Sequence, residues 1–197
     1  MSGIKRITGR GVAVARNDVD TDQIIPAAWL KKVERTGFGA GLFEAWRADP
    51  AFALNQPGAD QAKVLFAGAN FGCGSSREHA VWALQDYGFQ AVVAISFADI
   101  FRGNAVGSGL VPAQVTEDAA ARLLAALSAD PDSEVVVDVV ARTVSVGPEV
   151  TESFDLADYA QWRLTEGLDD IALTLQHEDA MAAYEARRAE WLPALTS

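Results

Sequence analysis

Three short, wholly apolar runs punctuate the middle of the chain: Val64-Leu65-Phe66-Ala67, Ala91-Val92-Val93-Ala94-Ile95 and the pair Leu110-Val111. Runs this short, with no alternation of polar residues, read as strands buried on both faces. Between the first two, Ala80, Ala83, Leu84 and Tyr87 recur at helical spacing. That predicts a helix over residues 76–87, and Gly88 stands where a helix-ending glycine belongs. A shorter helix is expected over residues 98–104, before Gly107-Ser108-Gly109. Strand, helix, strand, helix, strand at this spacing predicts βαβ units and a parallel sheet.

The flanks add elements to this centre. Residues 7–15 read as a strand that runs into the polar turn Asn17-Asp18-Val19-Asp20-Thr21-Asp22. Pro26 is placed to open a short helix over residues 27–33. A glycine-rich loop over 35–41 and a short amphipathic helix over 42–48 follow, and then a loop over 50–60 with Pro57-Gly58 as a turn. Residues 117–129 read as an Ala- and Leu-rich helix. Residues 134–140 and 142–146 read as an antiparallel strand pair. From 156 to 192 the pattern is mostly helical, with a break near Gly167. The expected organisation is one domain over residues 1–197, with a core over about 1–150, a helical tail over about 151–197, and a seam at 148–153.

Composition narrows the class of function. Lys plus Arg number 16 and Asp plus Glu 27, a formal charge of −11. A chain this acidic lacks the basic footprint of a nucleic-acid binder. No apolar run approaches the length of a membrane span, and Met1-Ser2-Gly3-Ile4-Lys5-Arg6 lacks the apolar core of a signal peptide. A cytoplasmic protein is expected. There is one cysteine, Cys73, so neither a disulfide framework nor a cysteine metal site can be built within the chain. The net charge would oppose an anionic metabolite, so any positive site must be local.

The segment richest in chemistry is Gly72-Cys73-Gly74-Ser75-Ser76-Arg77-Glu78-His79, which follows a strand and opens a helix. Free backbone N–H groups and the positive end of a helix favour an anion there. Arg77 adds a planar donor fork suited to a carboxylate. A plainer reading competes: Ser75-x-x-Glu78 fits a capping box, in which the serine serves only the helix. The two combine if a serine oxygen surrounded by amides and an arginine becomes a stabilised alkoxide. There is no Walker loop and no Gly-x-Ser-x-Gly elbow. Asp18-x-Asp20-x-Asp22 starts like a calcium loop but has Gln23 and Trp29 where glycine and glutamate are needed. Gly37-x-Gly39-x-Gly41 has no strand before it and is no dinucleotide fingerprint.

The run from Phe66 to Ala80 resembles the signature of the swivelling domain of the aconitase superfamily. Two further blocks agree in order: Asp20-Thr21-Asp22-Gln23-Ile24-Ile25-Pro26, and Ser96-Phe97-Ala98-Asp99-Ile100-Phe101-Arg102-Gly103-Asn104-Ala105 with Gly109-Leu110-Val111-Pro112. Chain length and the run from Leu30 to Gly39 are similar to the small-subunit family of bacterial 3-isopropylmalate dehydratases. The resemblance implies an α/β swivelling domain of three layers, β/β/α, with a helical C-terminal extension. It implies a heterodimer in which a 4Fe–4S cluster is held by a large subunit, with no cofactor or metal on this chain. The reaction implied is dehydration and rehydration of isopropylmalates, small dicarboxylates, in leucine biosynthesis.

By the same resemblance Ser75 is the catalytic base. Ser76, Arg77, Thr21, Asp22 and either Arg35 or Lys31 serve the substrate. Leu30, Val33 and Phe38 form a specificity loop that receives the isopropyl group. Glu78 and His79 stand behind the contact residues. Two alternatives stay open at this point: a related hydro-lyase subunit acting on citraconate, methylmalate or homoaconitate, and a non-catalytic anion-binding module.

Overall fold

The computed structural model describes residues 2–31 and 36–188. The elements in chain order are β1 (Arg6–Val14), α1 (Thr21–Ile24), α2 (Glu44–Arg47), β2 (Ala62–Ala67), α3 (Glu78–Tyr87), β3 (Ala91–Ala94), α4 (Asp99–Ser108), β4 (Val111–Gln114), α5 (Glu117–Ala129), β5 (Val135–Asp138), β6 (Thr143–Val146), β7 (Val150–Ser153), α6 (Asp158–Glu166), α7 (Asp170–Leu175) and α8 (Glu178–Glu185). The strands form one sheet in the order β4-β3-β2-β1-β5-β6-β7. β1 joins two unlike halves. Its second half pairs in parallel with β2, and its first half pairs antiparallel with β5, with a register shift between Arg10 and Gly11.

The burial pattern explains the layers. One face of the parallel half, with Leu65, Ala67, Val92 and Ala94, packs on Ala80, Val81, Ala83 and Leu84 of α3 and on Phe101 and Ala105 of α4. The other face, with Val64, Phe66, Ala91 and Val93, packs on Val135, Val137, Val144 and Val146 of the antiparallel half and on Ala119, Ala120, Leu123 and Leu127 of α5. The sheet therefore curls over itself, giving antiparallel strands, parallel strands and helices in three layers. The central parallel strands are covered on both sides, which is why the runs Val64–Ala67 and Ala91–Ala94 carry no polar residue. β5 and β6 are covered on one side and alternate buried with half-buried residues.

Four details depart from the sequence reading. α3 begins at Glu78 rather than at residue 76. α4 continues to Ser108 and passes through Gly107, which was expected to break it. After Pro26 the chain makes a tight 3-10 turn over Ala27–Lys31; the rest of the expected helix, to Val33, lies outside the described residues. The expected seam contains β7, which pairs antiparallel with β6. Glu152 on this edge strand receives Nε and Nη2 of Arg122 from α5 at 2.5 and 2.9 Å. That bidentate bond holds the Glu152 carboxyl below its ordinary range. The tail breaks at Gly167, whose φ is +69°, and its residues from 189 lie outside the described residues.

Candidate active site

The three sequence blocks sit on the loops that leave the carboxyl ends of β1, β2 and β3, the edge at which open parallel sheets hold their ligands. Backbone hydrogen bonds stitch them together. From the first block to the signature loop, Asp18 N–H donates to Ala69 O (2.9 Å), Gly72 N–H to Val19 O (2.8 Å) and Thr21 N–H to Cys73 O (2.9 Å). From the signature loop to the third block, Phe71 N–H donates to Ser96 O and Ala98 N–H to Phe71 O, both at 3.0 Å. Ser96 Oγ also accepts from Asn70 N–H at 2.8 Å. These loops are thus bonded to one another much as strands are, so the site has a defined shape without lying inside the sheet.

Ser75 and Ser76 are exposed on this platform. The capping-box reading of Ser75 does not hold here. Residue 77 flanks the first turn of α3 with extended backbone (φ −134°, ψ 107°), and no side chain caps that helix. The capping box is found instead at α1, where Asp20 Oδ1 accepts from Gln23 N–H (2.8 Å) and Gln23 Oε1 accepts from Asp20 N–H (3.0 Å).

Arg77 is 15% exposed at its side chain and pairs through Nη1 with Asp22, which is 54% exposed. The carboxylate of the first block thus holds the arginine of the second. Thr21 differs from its neighbours. It is 2% exposed, and among the described residues it is the one buried polar or charged residue. Its hydroxyl donates to Ser75 O at 3.0 Å, so it faces the loop backbone rather than solvent. The three aspartates that resemble a calcium loop have three separate tasks. Asp18 accepts from the Asn70 amide at 2.8 Å, Asp20 caps α1, and Asp22 pairs with Arg77. Ser96 and Asn70 were missed as site-building residues, although both lie inside the blocks that carry the resemblance.

The remaining expected residues are less uniform. Lys31 is exposed and Leu30 is half-buried, both in the turn after Pro26. Arg35 and Val33 lie outside the described residues. Phe38, expected to meet an isopropyl group, is fully buried. Its ring packs edge-on against His79 at 5.3 Å, and His79 in turn packs on Trp82 at 4.7 Å. Phe38 and His79 therefore anchor the end of the loop to α3 in this structure, which is a packing role. Glu78 is exposed in the first turn of α3, where its charge suits the helix end. Cys73 is half-buried; burial first, then Asp20 and Asp18, push its thiol above its ordinary range. Among the described residues no group of three His, Cys, Asp or Glu is arranged to hold a metal. None of the described helices is long and apolar enough to cross a membrane.

Comparison with known proteins gives first the class. Residues 1–118, which hold the whole parallel half and all three loops, match the family described as the aconitase C-terminal domain. Residues 170–196 match the C-terminal domain of the 3-isopropylmalate dehydratase small subunit. The chain belongs to the family of 3-isopropylmalate dehydratase small subunits. It is 59% identical over 186 residues to the protein of that name from Frankia casuarinae, covering 94% of this chain and 95% of that one. It is 54% identical over 193 residues to that of Clavibacter michiganensis, covering 98% and 94%. The crystal structure of 3-isopropylmalate dehydratase from Methanocaldococcus jannaschii superposes with a TM-score of 0.69 at 26% identity, covering 91% of this chain and 99% of the other.

Proposed function

We propose that this chain is the small subunit of a heterodimeric hydro-lyase of leucine biosynthesis in the cytoplasm. The enzyme interconverts 2-isopropylmalate and 3-isopropylmalate through isopropylmaleate. The observation that carries the reading is the 59% identity over nearly the whole length of a protein of that name. The convergence of the three loops on one edge, with Ser75 and Ser76 exposed and Arg77 half-buried beside them in sequence, supports it.

The residues of this chain do not fit an iron–sulfur cluster, which needs several thiolates. The sequence has one cysteine, and its thiol is held toward the protonated form. The cluster is therefore assigned to the large subunit. What this chain supplies is proton transfer and anion recognition. Ser75 takes the proton from the carbon next to a substrate carboxylate. Ser76 and the guanidinium of Arg77 hold that carboxylate and the charge that develops on it. Asp22 orients Arg77 and does not touch the anionic substrate. A positive site this small agrees with an acidic chain, because attraction is confined to one edge. Lys31 and Arg35 are the candidates for a second cationic contact, and the stretch between Ala28 and Phe38, which includes Leu30 and Val33 in sequence, is the candidate seat of the isopropyl group.

Two experiments test this. The purified chain, mixed anaerobically with its large subunit and reconstituted with iron and sulfide, is expected to hydrate isopropylmaleate, whereas the chain alone is expected to be inactive. Failure of the mixture to do so, with hydration of another substituted maleate instead, would move the chain to a related hydro-lyase. Exchanging residues 28–37 for the equivalent loop of a relative with another substrate is expected to change kcat/KM ratios by roughly 10- to 100-fold, the worth of one or two apolar contacts. Unchanged ratios would place specificity in the large subunit.

A further inference from the structure

The loop that carries Ser75 has little to hold it from within. Gly72 and Gly74 both have left-handed backbone (φ +77° and +89°), two pliable points on either side of Cys73. Ser75 and Ser76 are exposed, and α3 starts only at Glu78. Gly72 is held by Val19 and Arg77 by Asp22, and between them the two bonds that bracket Gly74 come from one residue of the first block. Thr21 N–H donates to Cys73 O on one side of Gly74, and Thr21 Oγ1 donates to Ser75 O on the other, at 2.9 and 3.0 Å. A Cβ placed on Gly74 would sit 3.6 Å from that same hydroxyl, so threonine and glycine lie face to face. Thr21 is itself immobilised. The Asp20–Gln23 capping box holds its turn, and Ile24 and Ile25, both fully buried, fix the turn to the core.

We infer that Thr21 is a positioning residue, which fixes the peptide plane of Ser75 and so aims its hydroxyl, and is not a substrate contact. The inference rests on Ser75 being the base. A hydroxyl that is buried and spent on a backbone carbonyl is in no position to meet substrate. Its loss would leave the Ser75 carbonyl without that donor while removing no charge from the site. Small displacements of a reacting group cost rate rather than binding, because orientation is felt at the transition state.

The test uses Thr21→Val and Thr21→Ser in the assembled heterodimer, with Ser75→Ala alongside. Thr21→Val is expected to lower kcat by about 10- to 100-fold with KM little changed, and Thr21→Ser, which keeps the hydroxyl, to recover most of that loss. A second readout needs no turnover. Cys73 is the chain's single cysteine, so the rate at which this chain, resolved by mass from the large subunit, gains one N-ethylmaleimide adduct reports on this loop. Burial and the neighbouring Asp20 and Asp18 hold the thiol above its ordinary range, so a released loop raises the rate through both access and thiolate fraction, and a faster rate reads release by either route. Thr21→Val is expected to be labelled several-fold faster than the wild type, with Thr21→Ser close to the wild type. An unchanged kcat in Thr21→Val, an equal loss in Thr21→Ser, or a raised KM at constant kcat overturns the inference, as does unchanged labelling. If Thr21→Val does not fold, a fall in kcat or faster labelling in Thr21→Ser to the level of a released loop overturns it, and wild-type behaviour of Thr21→Ser in both readouts supports it. Turnover surviving in Ser75→Ala overturns the base assignment instead, and the labelling rates still decide whether the clamp exists.

Discussion

Ser75→Ala in the assembled enzyme is expected to lower kcat by roughly 10²- to 10⁴-fold, the range that positioned proton transfer supplies. KM is expected to change little and the thermal midpoint to stay where it is. The stability half of this follows from exposure: Ser75 is on the surface, so removing one oxygen opens no cavity. It also follows from the start of α3. Had Ser75 capped that helix, the alanine variant would lose about 1 kcal/mol and part of the activity loss would be structural. The helix starts at Glu78 without a side-chain cap, so the two effects separate. The activity half follows from chemistry. A serine hydroxyl is too weak an acid to serve as a base near neutral pH unless its alkoxide is stabilised, and the cation two residues along the chain, held in place by Asp22, is Arg77. Kinetics with 2-isopropylmalate, with calorimetry on the same preparation, checks both. A variant that turns over like the wild type would leave Ser75 as a loop residue and return the base to the large subunit.

The parts of the fold that were legible in the sequence are those whose residues answer to a single environment. β2, β3 and β4 were legible from the apolar runs Val64–Ala67, Ala91–Ala94 and Leu110–Val111, which are apolar because both faces of the sheet are covered there. α5 was legible to the residue because Thr116 caps it, its hydroxyl accepting from Ala119 N–H at 3.2 Å, and because the Ala and Leu repeat is unbroken. β7 was not legible. It is an edge strand, its residues are half-buried or exposed, and besides its ladder with β6 it is tied to α5 by a bidentate Arg122–Glu152 pair, two residues 30 positions apart. No local pattern encodes such a pair. The same limit applies at the site. The three blocks could be read along the chain, yet their tasks are set across it. Ser75-x-x-Glu78 and Asp20-x-x-Gln23 both have capping spacing, and only the second is used, because the first turn at Ser75 is drawn away by Thr21 and Arg77 is drawn to Asp22. Along the chain Phe38 is a loop residue offered to substrate. Its burial against His79 and Trp82 depends on where α3 lies, which local sequence does not state.

Gly72→Ala is expected to destabilise the chain by roughly 2–5 kcal/mol, whereas Gly103→Ala, 31 residues away in sequence, is expected to stabilise it by about 0.5–1 kcal/mol. The two glycines belong to adjoining blocks, and the difference in sign comes from what lies above each. A Cβ on Gly72 would fall 2.2 Å from Cγ of Phe101 and 2.5 Å from its Cβ and Cδ2. Phe101 cannot step aside. It is 2% exposed, packed edge-on against Phe71 at 5.2 Å and stacked on Phe97 at 6.2 Å. Backbone strain adds to the clash, since φ is +77° and an L side chain in that region costs about 1–2 kcal/mol. Gly103 lies inside α4 with nothing within 4 Å of an added Cβ, so alanine there gains helix propensity at no steric cost. Urea or thermal midpoints of the two variants measure the pair of effects on one background. Equal stability of Gly72→Ala and the wild type would mean that the signature loop does not rest on the Phe71–Phe97–Phe101 cluster. The activity of Gly72→Ala then carries a second message. The glycine's N–H is bonded to Val19 O, so lifting the loop off Phe101 also strains its bond to the first block, and with it the platform on which Ser75 stands. Turnover should therefore fall in the fraction of Gly72→Ala that still folds at low temperature, while Gly103→Ala should keep wild-type turnover.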